Sequence, residues 1–578
     1  MRELLKVLQI HVFCFFTIII SNNAPVESIP AFVTAFLKPR KLSQFAIGML
    51  MFILCFSGLR PSYALPAFPG AEGYGVETIG GRGGRVIKVT NLMPSGPGSL
   101  YDACMAIGPR IVVFEVSGTI RGSININSHY ITIAGQTAPG EGITIEGHLG
   151  NMRGISDIVV RFLRVRQKAQ GPDDVATIYQ ARNVILDHCS FGWGCDENMD
   201  FSYTRDITMQ WCIINESAIY KPGTTILCHD KGIPHNYGII HAYGDASKFS
   251  MHHNLLAQHE RRYPLTDGHA NDIRNNVMYN WSSYCIYFSF GYTPSIPYPH
   301  TTNIVNNYFK RGTYRGATPI QFQATNKEDW KLYIAGNYLT GSGVMAATNY
   351  IPLPAPLEGT PNITTHTAEE AYNRVIKYVG AWPRDSLDRR NIMETQTGTG
   401  TYGRHETPLT KKSGTVPEDT DDDGMPDEWE TQNGLDPNKA DASGTDLHGT
   451  YTNIEVYINQ LADKLIGWDV NGTKDFKEKP AFESLSGKTL HIYPNPFVPG
   501  SLLEIGISDF QYKGAMGLEL VDIKGRILNE WHIKKDDFNS SGNFSVTINQ
   551  KITSGIYLLK LTDINGNKIF RKMLCCIR

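Results

Sequence analysis

No basic field marks this sequence. Its 54 lysines and arginines are offset by 56 acidic residues, a formal charge of −2. That balance removes the bulk electrostatic argument for nucleic acid and leaves any polyanionic ligand to be held by local cations. Cysteine is sparse and unpatterned: of ten, Cys14 and Cys55 fall near the amino terminus, and the remaining eight show no metal-ligand spacing. Cys189 and Cys195 lie close together, at neither a zinc-hairpin nor a redox spacing. They read as buried free thiols, with disulfides still open to an exported chain. Two apolar stretches near the amino terminus, about 10–20 and 45–56, fall short of the ~20 residues that a hydrocarbon-spanning helix needs. The second is preceded by Lys38, Arg40 and Lys41 and followed by Ser62-Tyr63-Ala64. It reads as a signal peptide, with a retained membrane anchor as the alternative, so residues 1–64 are taken as a targeting region and the protein as secreted or surface-bound.

What is present is β-structure in a repeating frame. At 578 residues the chain is too long for one compact core, and its 55 glycines, 28 tyrosines and 25 phenylalanines describe a turn-rich, β-rich protein. From about residue 110, short β-branched runs recur: Ile111–Val116, Ile131–Ile133, Ile143–Ile145, Ile158–Phe162, Asn183–Leu186, Asp206–Met209, Lys248–Met251, Asp272–Asn275, Asn303–Asn306 and Lys331–Ile334. Several starts are 22 to 28 residues apart, as from 183 to 206 and from 248 to 272, which is the period of a solenoid. The Leu-x-x-Leu-x-Leu pattern of leucine-rich repeats is missing. Asparagine instead recurs at strand ends (Asn254, Asn275-Asn276, Asn306-Asn307, Asn337), where it tolerates left-handed backbone and can stack in ladders at the tight turns of a β-helix. The expected fold is therefore mainly β: a right-handed parallel β-helix over 65–394, closed by a short helix over 369–377.

Residues 395–483 read as a linker holding an acidic loop. There Asp419, Asp421, Asp423, Asp427 and Glu430 occupy positions 1, 3, 5, 9 and 12 of an EF-hand calcium loop, with Gly424 at position 6. Pro426 at position 8 argues against a paired regulatory EF-hand, and one structural Ca2+ is expected. Residues 484–578 alternate as short strands, the mark of an antiparallel β-sandwich.

Chemistry concentrates between 171 and 265. Asp174, Asp196 and Asp200 can converge if strands near 175, 185 and 207 stack in neighbouring coils, and oxygen donors gathered without cysteine or histidine favour calcium over zinc or copper. Val184-Ile-Leu-Asp187-His188, the pair Asp196 and Asp200, Asp174 thirteen residues before Asp187, and Arg262 in Arg-Tyr-Pro-Leu after His252-His-Asn254 together resemble polysaccharide lyase family one, the pectate lyases. The similarity runs from about Phe68 to Ile392. Ile185 stands where the family's motif carries Trp.

The resemblance implies a calcium-dependent lyase that cleaves α-1,4-polygalacturonate by β-elimination, giving 4,5-unsaturated products. It implies Asp174, Asp196 and Asp200 as calcium ligands, Asp187 and His188 as chiefly structural, and Arg262 as the base, with a carboxylate clamp as the alternative for Arg262. Lys231, Lys221 and Arg261 are the substrate-binding residues to consider. Arg261 could instead pair with Glu260, and Asp173 and Glu197 are each open between ligand and bystander. Pectin lyase, a polygalacturonase-type hydrolase and a non-catalytic glycan-binding β-helix are the competing readings. The hydrolase's Gly-His-Gly and Arg-Ile-Lys elements are not found. Tyr493-Pro-Asn-Pro-Phe497, Asp522-Ile-Lys-Gly525 and Ser554-Gly-Ile-Tyr557 resemble the carboxy-terminal sorting domain of type IX secretion cargo, with a carbohydrate-binding or spacer sandwich as the alternative. The partners implied are pectin or polygalacturonate and an export machinery, with no nucleic acid, and the chain is expected to be a monomer.

Overall fold

The computed structural model describes residues 65–150, 152–167, 174–218, 235–289, 299–323, 327–401 and 413–467, with positions 292 and 297 and seven strands between 490 and 576. The expected targeting region 1–64 lies outside these residues, as do Asp173, Lys221 and Lys231. Among the described residues no helix is long and apolar enough to cross a membrane.

Residues 85–352 wind as a right-handed parallel β-helix of three sheets with eleven, eight and nine strands. Sheet one holds the longest strands, and its register builds one continuous apolar column. Val112 pairs with Ile133, then Val160, Leu186, Met209, Met251, Ile273, Ile304 and Ile334 in successive coils. Each coil meets only its neighbours, so like side chains stack on like and the core extends without widening. The coil that carries Ile207 to Phe249 is nearly twice as long as the one that carries Val184 to Ile207. The surplus falls largely on 219–234, outside the described residues.

The turn from sheet one to sheet three repeats one device. Phe162, His188, Trp211, His253, Asn275 and Asn306 all have φ between 50° and 57°. The residue after each turns its side chain along the stack. Asn337 Oδ1 accepts the Asn307 N–H at 2.8 Å, Asn307 Oδ1 the Asn276 N–H at 3.0 Å, and Asn276 Oδ1 the Asn254 N–H at 3.1 Å. Asn254 Oδ1 then accepts the Cys212 N–H at 2.8 Å, and Cys212 Sγ the Cys189 N–H at 3.4 Å. Thiols thus continue the asparagine ladder, and Cys189 is a buried free thiol as expected. Cys195 is not: it is disulfide-bonded, correcting the free-thiol reading.

Three covers close the apolar faces. The helix Leu100–Met105 buries Leu100, Ala103 and Cys104 at the amino-terminal end. The helix Ala368–Tyr378, expected to close the solenoid, lies instead along its flank, where Val375 and Val379 pack with Ile213, Leu255, Val277 and Tyr279 of sheet three. On the coils beneath this helix the outward Ile213, Leu255, Val277 and Tyr279 are apolar and demand the cover. Residues 413–467, expected as linker, form two helices and a loop packed on sheet one, with Met425, Ile454, Tyr457 and Ile458 against Ile111, Val113 and Ala134. Residues 490–576 form antiparallel sheets of three and four strands. Leu503, Ile505, Leu518, Leu520, Val546 and Leu559 are buried there in strand alternation.

Burial places His241, His252 and His259 far below the ordinary imidazole value, each at about 3, and lowers His253 as well. Each ring stays neutral in the fold but takes up a proton near pH 6.5 once unfolded. The stability tied to them is therefore intact above about pH 6.5 and is lost as pH falls toward 3, at ~1.4 kcal/mol per pH unit for each ring. Melting temperatures between pH 7.5 and 5 should fall steeply, and His241→Gln should flatten the slope.

Candidate functional site

Sheet two carries the acidic residues. Asp174 and Asp196 stand just before two neighbouring strands, Ala176–Tyr179 and Glu197–Ser202, which pair in parallel with Thr177 beside Asp200. The Glu197 N–H donates to Asp174 Oδ1 at 3.0 Å, which draws the two strand entries together. Asp174, Asp196 and Glu197 then each offer a carboxylate oxygen within 4.8 Å of the others. Asp196 Oδ1 also lies 2.7 Å from Nδ1 of His235, whose ring stacks on Tyr237. Asp200 stands beside this group rather than inside it, hydrogen-bonded by the Ser202 hydroxyl. Burial, with the charge of Asp196 behind it, lifts the Asp200 carboxyl to about 6.

The next coil brings the cation. Tyr237 pairs with Glu197 on one side and with Arg261 on the other. Arg262 follows with φ 68°, and its carbonyl accepts the Ile239 N–H at 2.7 Å. Gly238 permits that approach, since a Cβ there would fall 2.4 Å from the Arg262 carbonyl oxygen. The Arg262 guanidinium touches the Glu197 carboxylate and lies 4.3 Å from the Tyr237 ring centroid. Burial lowers its pKa from the ordinary guanidinium value, against the opposing pull of Tyr284 and Asp196. Arg261 sits 3.6 Å from Glu260 and lies over Tyr237 and Tyr284.

Asp174, Asp196, Glu197 and Arg262 are therefore brought together, with Asp200 at the edge. The donors are all oxygens, held by the backbone of successive coils and only partly exposed, which suits a hard divalent cation that takes six to eight oxygen ligands. Glu197 was the residue that sequence left open. Its position beside Asp196 was a signal, but its contact with Arg262 depends on coil register.

Asp187 and His188 lie elsewhere, on the sheet-one strand Arg182–Asp187 and in the turn that follows it. Asp187 is buried and bonds His188 Nδ1 (2.9 Å), Arg161 Nε (2.8 Å) and Gln210 Nε2 (2.9 Å). Burial alone would raise its carboxyl, but the charges of His188 and Arg161 hold it well below the ordinary range.

The EF-hand-like loop gathers two overlapping sets, Asp419 with Asp421 and Asp423, and Asp423 with Glu430 and Asp441. Asp427, expected at the ninth position, is turned aside: its carboxylate accepts from the Thr420 N–H at 2.7 Å and hydroxyl at 2.6 Å. Asp441 lies outside the twelve-residue frame and so carried no motif signal.

Comparison with known proteins identifies relatives that match most of the chain. The chain is 34% identical over 435 residues to a probable pectate lyase C of Aspergillus flavus, covering 71% of this chain and 97% of that protein. To the probable pectate lyase C of Aspergillus terreus it is 37% identical over 423 residues, covering 69% and 94%. Among solved structures, a pectate lyase of Bacillus sp. N165 in complex with trigalacturonate matches at 18% identity and TM-score 0.39, over 54% of this chain and 98% of that one. Residues 491–575 match the family described as a secretion system C-terminal sorting domain. The β-helix is thus the catalytic body of a polysaccharide lyase. More narrowly, the chain belongs to the pectate lyase family.

If the Asp187 network is structural, Asp187→Asn should destabilise the fold by roughly 3–5 kcal/mol, because it strands the buried Arg161 charge. Denaturant melts should register that loss, while kcat, measured well below the melting temperature, should stay near wild type.

Proposed function

We propose that the protein is an exported, calcium-dependent pectate lyase that cleaves α-1,4-polygalacturonate by β-elimination at sheet two. The observation that carries this reading is the contact of the Arg262 guanidinium with Glu197, inside the carboxylate group of Asp174, Asp196 and Glu197. Elimination removes the proton at C5 of galacturonate and expels the C4 oxygen, so no water is consumed. The difficulty is to form a carbanion beside a carboxylate. Calcium held by these carboxylates would supply positive charge against that developing anion.

Asp174, Asp196, Glu197 and Asp200 would hold the ion. Arg262 would accept the C5 proton at a guanidinium nitrogen. Arginine is ordinarily charged, and two features bear on its use as a base. Burial disfavours its protonated form, and Glu197, which favours that form, is also a ligand for calcium. Arg261 and Tyr237 flank Arg262 and would position the sugar that it deprotonates. Lys221 or Lys231, outside the described residues but between the site strands in sequence, would pair with a substrate carboxylate.

Export is supported from both ends of the sequence, by the leader-like stretch 45–56 and by the sorting-domain match over 491–575. Cargo of a secretion system is delivered outside the cell, where pectin is met as a polymer. The monomer expectation stands with this reading.

Polygalacturonate incubated with the protein and calcium should develop the ultraviolet absorbance of a 4,5-unsaturated uronide, and chelator should abolish it. Arg262→Ala should lower kcat by ~10²–10⁴-fold with circular dichroism unchanged. Retained turnover in that variant, or product without ultraviolet absorbance, would remove the assigned base or the elimination. Separately, Lys221→Ala or Lys231→Ala should raise KM at least several-fold on steady-state analysis; unchanged KM in both would exclude these lysines.

A further inference from the structure

The acidic loop over 419–430 takes no part in the chemistry proposed at sheet two. Its side chains nevertheless stand in an arrangement that protein groups alone leave unresolved. Glu430 is completely buried, and neither of its carboxylate oxygens has a hydrogen-bond partner. Asp421 Oδ2 is buried and unpartnered in the same way. A buried carboxylate without hydrogen bonds or a counter-charge is strongly unfavourable, so the fold needs something to offset it.

Glu430 points at other acids. Its carboxylate lies within 4.8 Å of those of Asp423 and Asp441, and Asp423 lies equally close to Asp419 and Asp421. The nearby cations attach at the rim: Lys88 reaches Asp419 at 3.1 Å, and Lys439 reaches Asp441 at 3.1 Å. Inside the group, backbone amides fix the carboxylates. Asp423 Oδ2 accepts the N–H groups of Asp441 and Ala442 at 2.9 and 2.8 Å, and Asp419 Oδ2 accepts that of Gly424 at 3.0 Å.

We propose that Asp419, Asp421, Asp423, Glu430 and Asp441 form a second divalent-cation site, and that its ion fastens residues 413–467 over the first coils of the β-helix. An all-oxygen set of five carboxylates, in a loop whose sixth position is Gly424 at φ 95°, selects calcium. The site is joined to the β-helix on two sides. Lys88, on the first sheet-one strand Arg85–Val89, bridges Glu115 to Asp419 and Asp422. Met425 and Ala442, next to the ligands, pack against Ile111, Val113 and Ala134. Gly424 lies so close to the first strand that a Cβ there would sit 2.7 Å from Val86 Cγ1. The ion organises the loop, and the loop covers the outer face of the coils at which the solenoid begins.

The site is distinct from the catalytic one, and the test keeps them apart. Full-length protein freed of metal and titrated with calcium alone should gain roughly 5 °C or more in melting temperature at a hundredfold excess over Kd, whereas a matched titration of the Asp423→Asn, Glu430→Gln double variant should not. By calorimetry that variant should bind one calcium fewer per chain than the parent, while keeping its turnover of polygalacturonate at saturating calcium below its own melting temperature. An unchanged calcium count, or an undiminished thermal gain, overturns the proposal. Should the double variant fail to fold, Asp196→Asn, altered only at sheet two, decides the matter: one calcium still bound supports the second site, and none refutes it.

Discussion

The parallel register between coils is the constraint on which everything else depends. Adjacent strands lie about 4.8 Å apart, so a residue finds its spatial neighbour one coil away in sequence. Val184 sits between Ile158 and Ile207, and that repetition makes the core a set of columns instead of a sphere. The same rule assembles the site. Glu197 has Asp174 on one side and Tyr237 on the other, and Arg262 reaches it from the coil beyond Tyr237, because the strands stack in register and not because the motif is contiguous. A slip of one residue would turn the Met199 and Phe201 side chains outward and bring Asp200 into the core.

The three faces meet that constraint differently, and the difference explains where chemistry can occur. Sheet one is covered by residues 67–76, through Ala67, Phe68 and Ala71 against Val159 and Ile185, and by the segment 413–467. Sheet three is covered by helices, with Arg166 buried beneath Asp385 and Asp388. Sheet two carries outward Thr177 and Asp200 in one row, with Ile240 and Tyr287 further along it. A polymer that must lie along several coils can be met only where such a row is open to it. The proposed chemistry lies on this sheet, where Thr177 and Asp200 stand outward beside the carboxylate group.

The same difference governs what the sequence made legible. Nine of the ten runs read as strands belong to sheet one, where four- to six-residue stretches of alternating Ile, Val, Leu and Met stand out. Most strands of sheets two and three have two to four residues, too few to display a period, and so passed as loop. Asp174 and Asp196 could be named because stacked coils bring their carboxylates together and the motif marks them, and Arg262 because its motif is compact. Glu197 stayed open between ligand and bystander, since its neighbour Arg262 is sixty-five residues away along the chain. The asparagine ladder was visible only for as long as it was made of asparagine. Its continuation through Cys212 and Cys189 uses a different atom for the same hydrogen bond, which composition does not reveal.

The contact between Glu197 and Arg262 couples the two halves of the proposed chemistry. The burial that lowers the guanidinium's affinity for its proton also strengthens its attraction to a neighbouring carboxylate, so the isolated pair rests in the charged form. A carboxylate can share its charge among several cations, however, and each additional cation weakens its hold on the first. Whatever positive charge gathers at Asp174 and Asp196 therefore draws on Glu197 and releases Arg262 toward its neutral form. By this argument Glu197 is the element through which the metal end and the proton-accepting end respond to each other. In the proposed chemistry this lets an arginine stand where a base is needed, since a bound cation would change its environment.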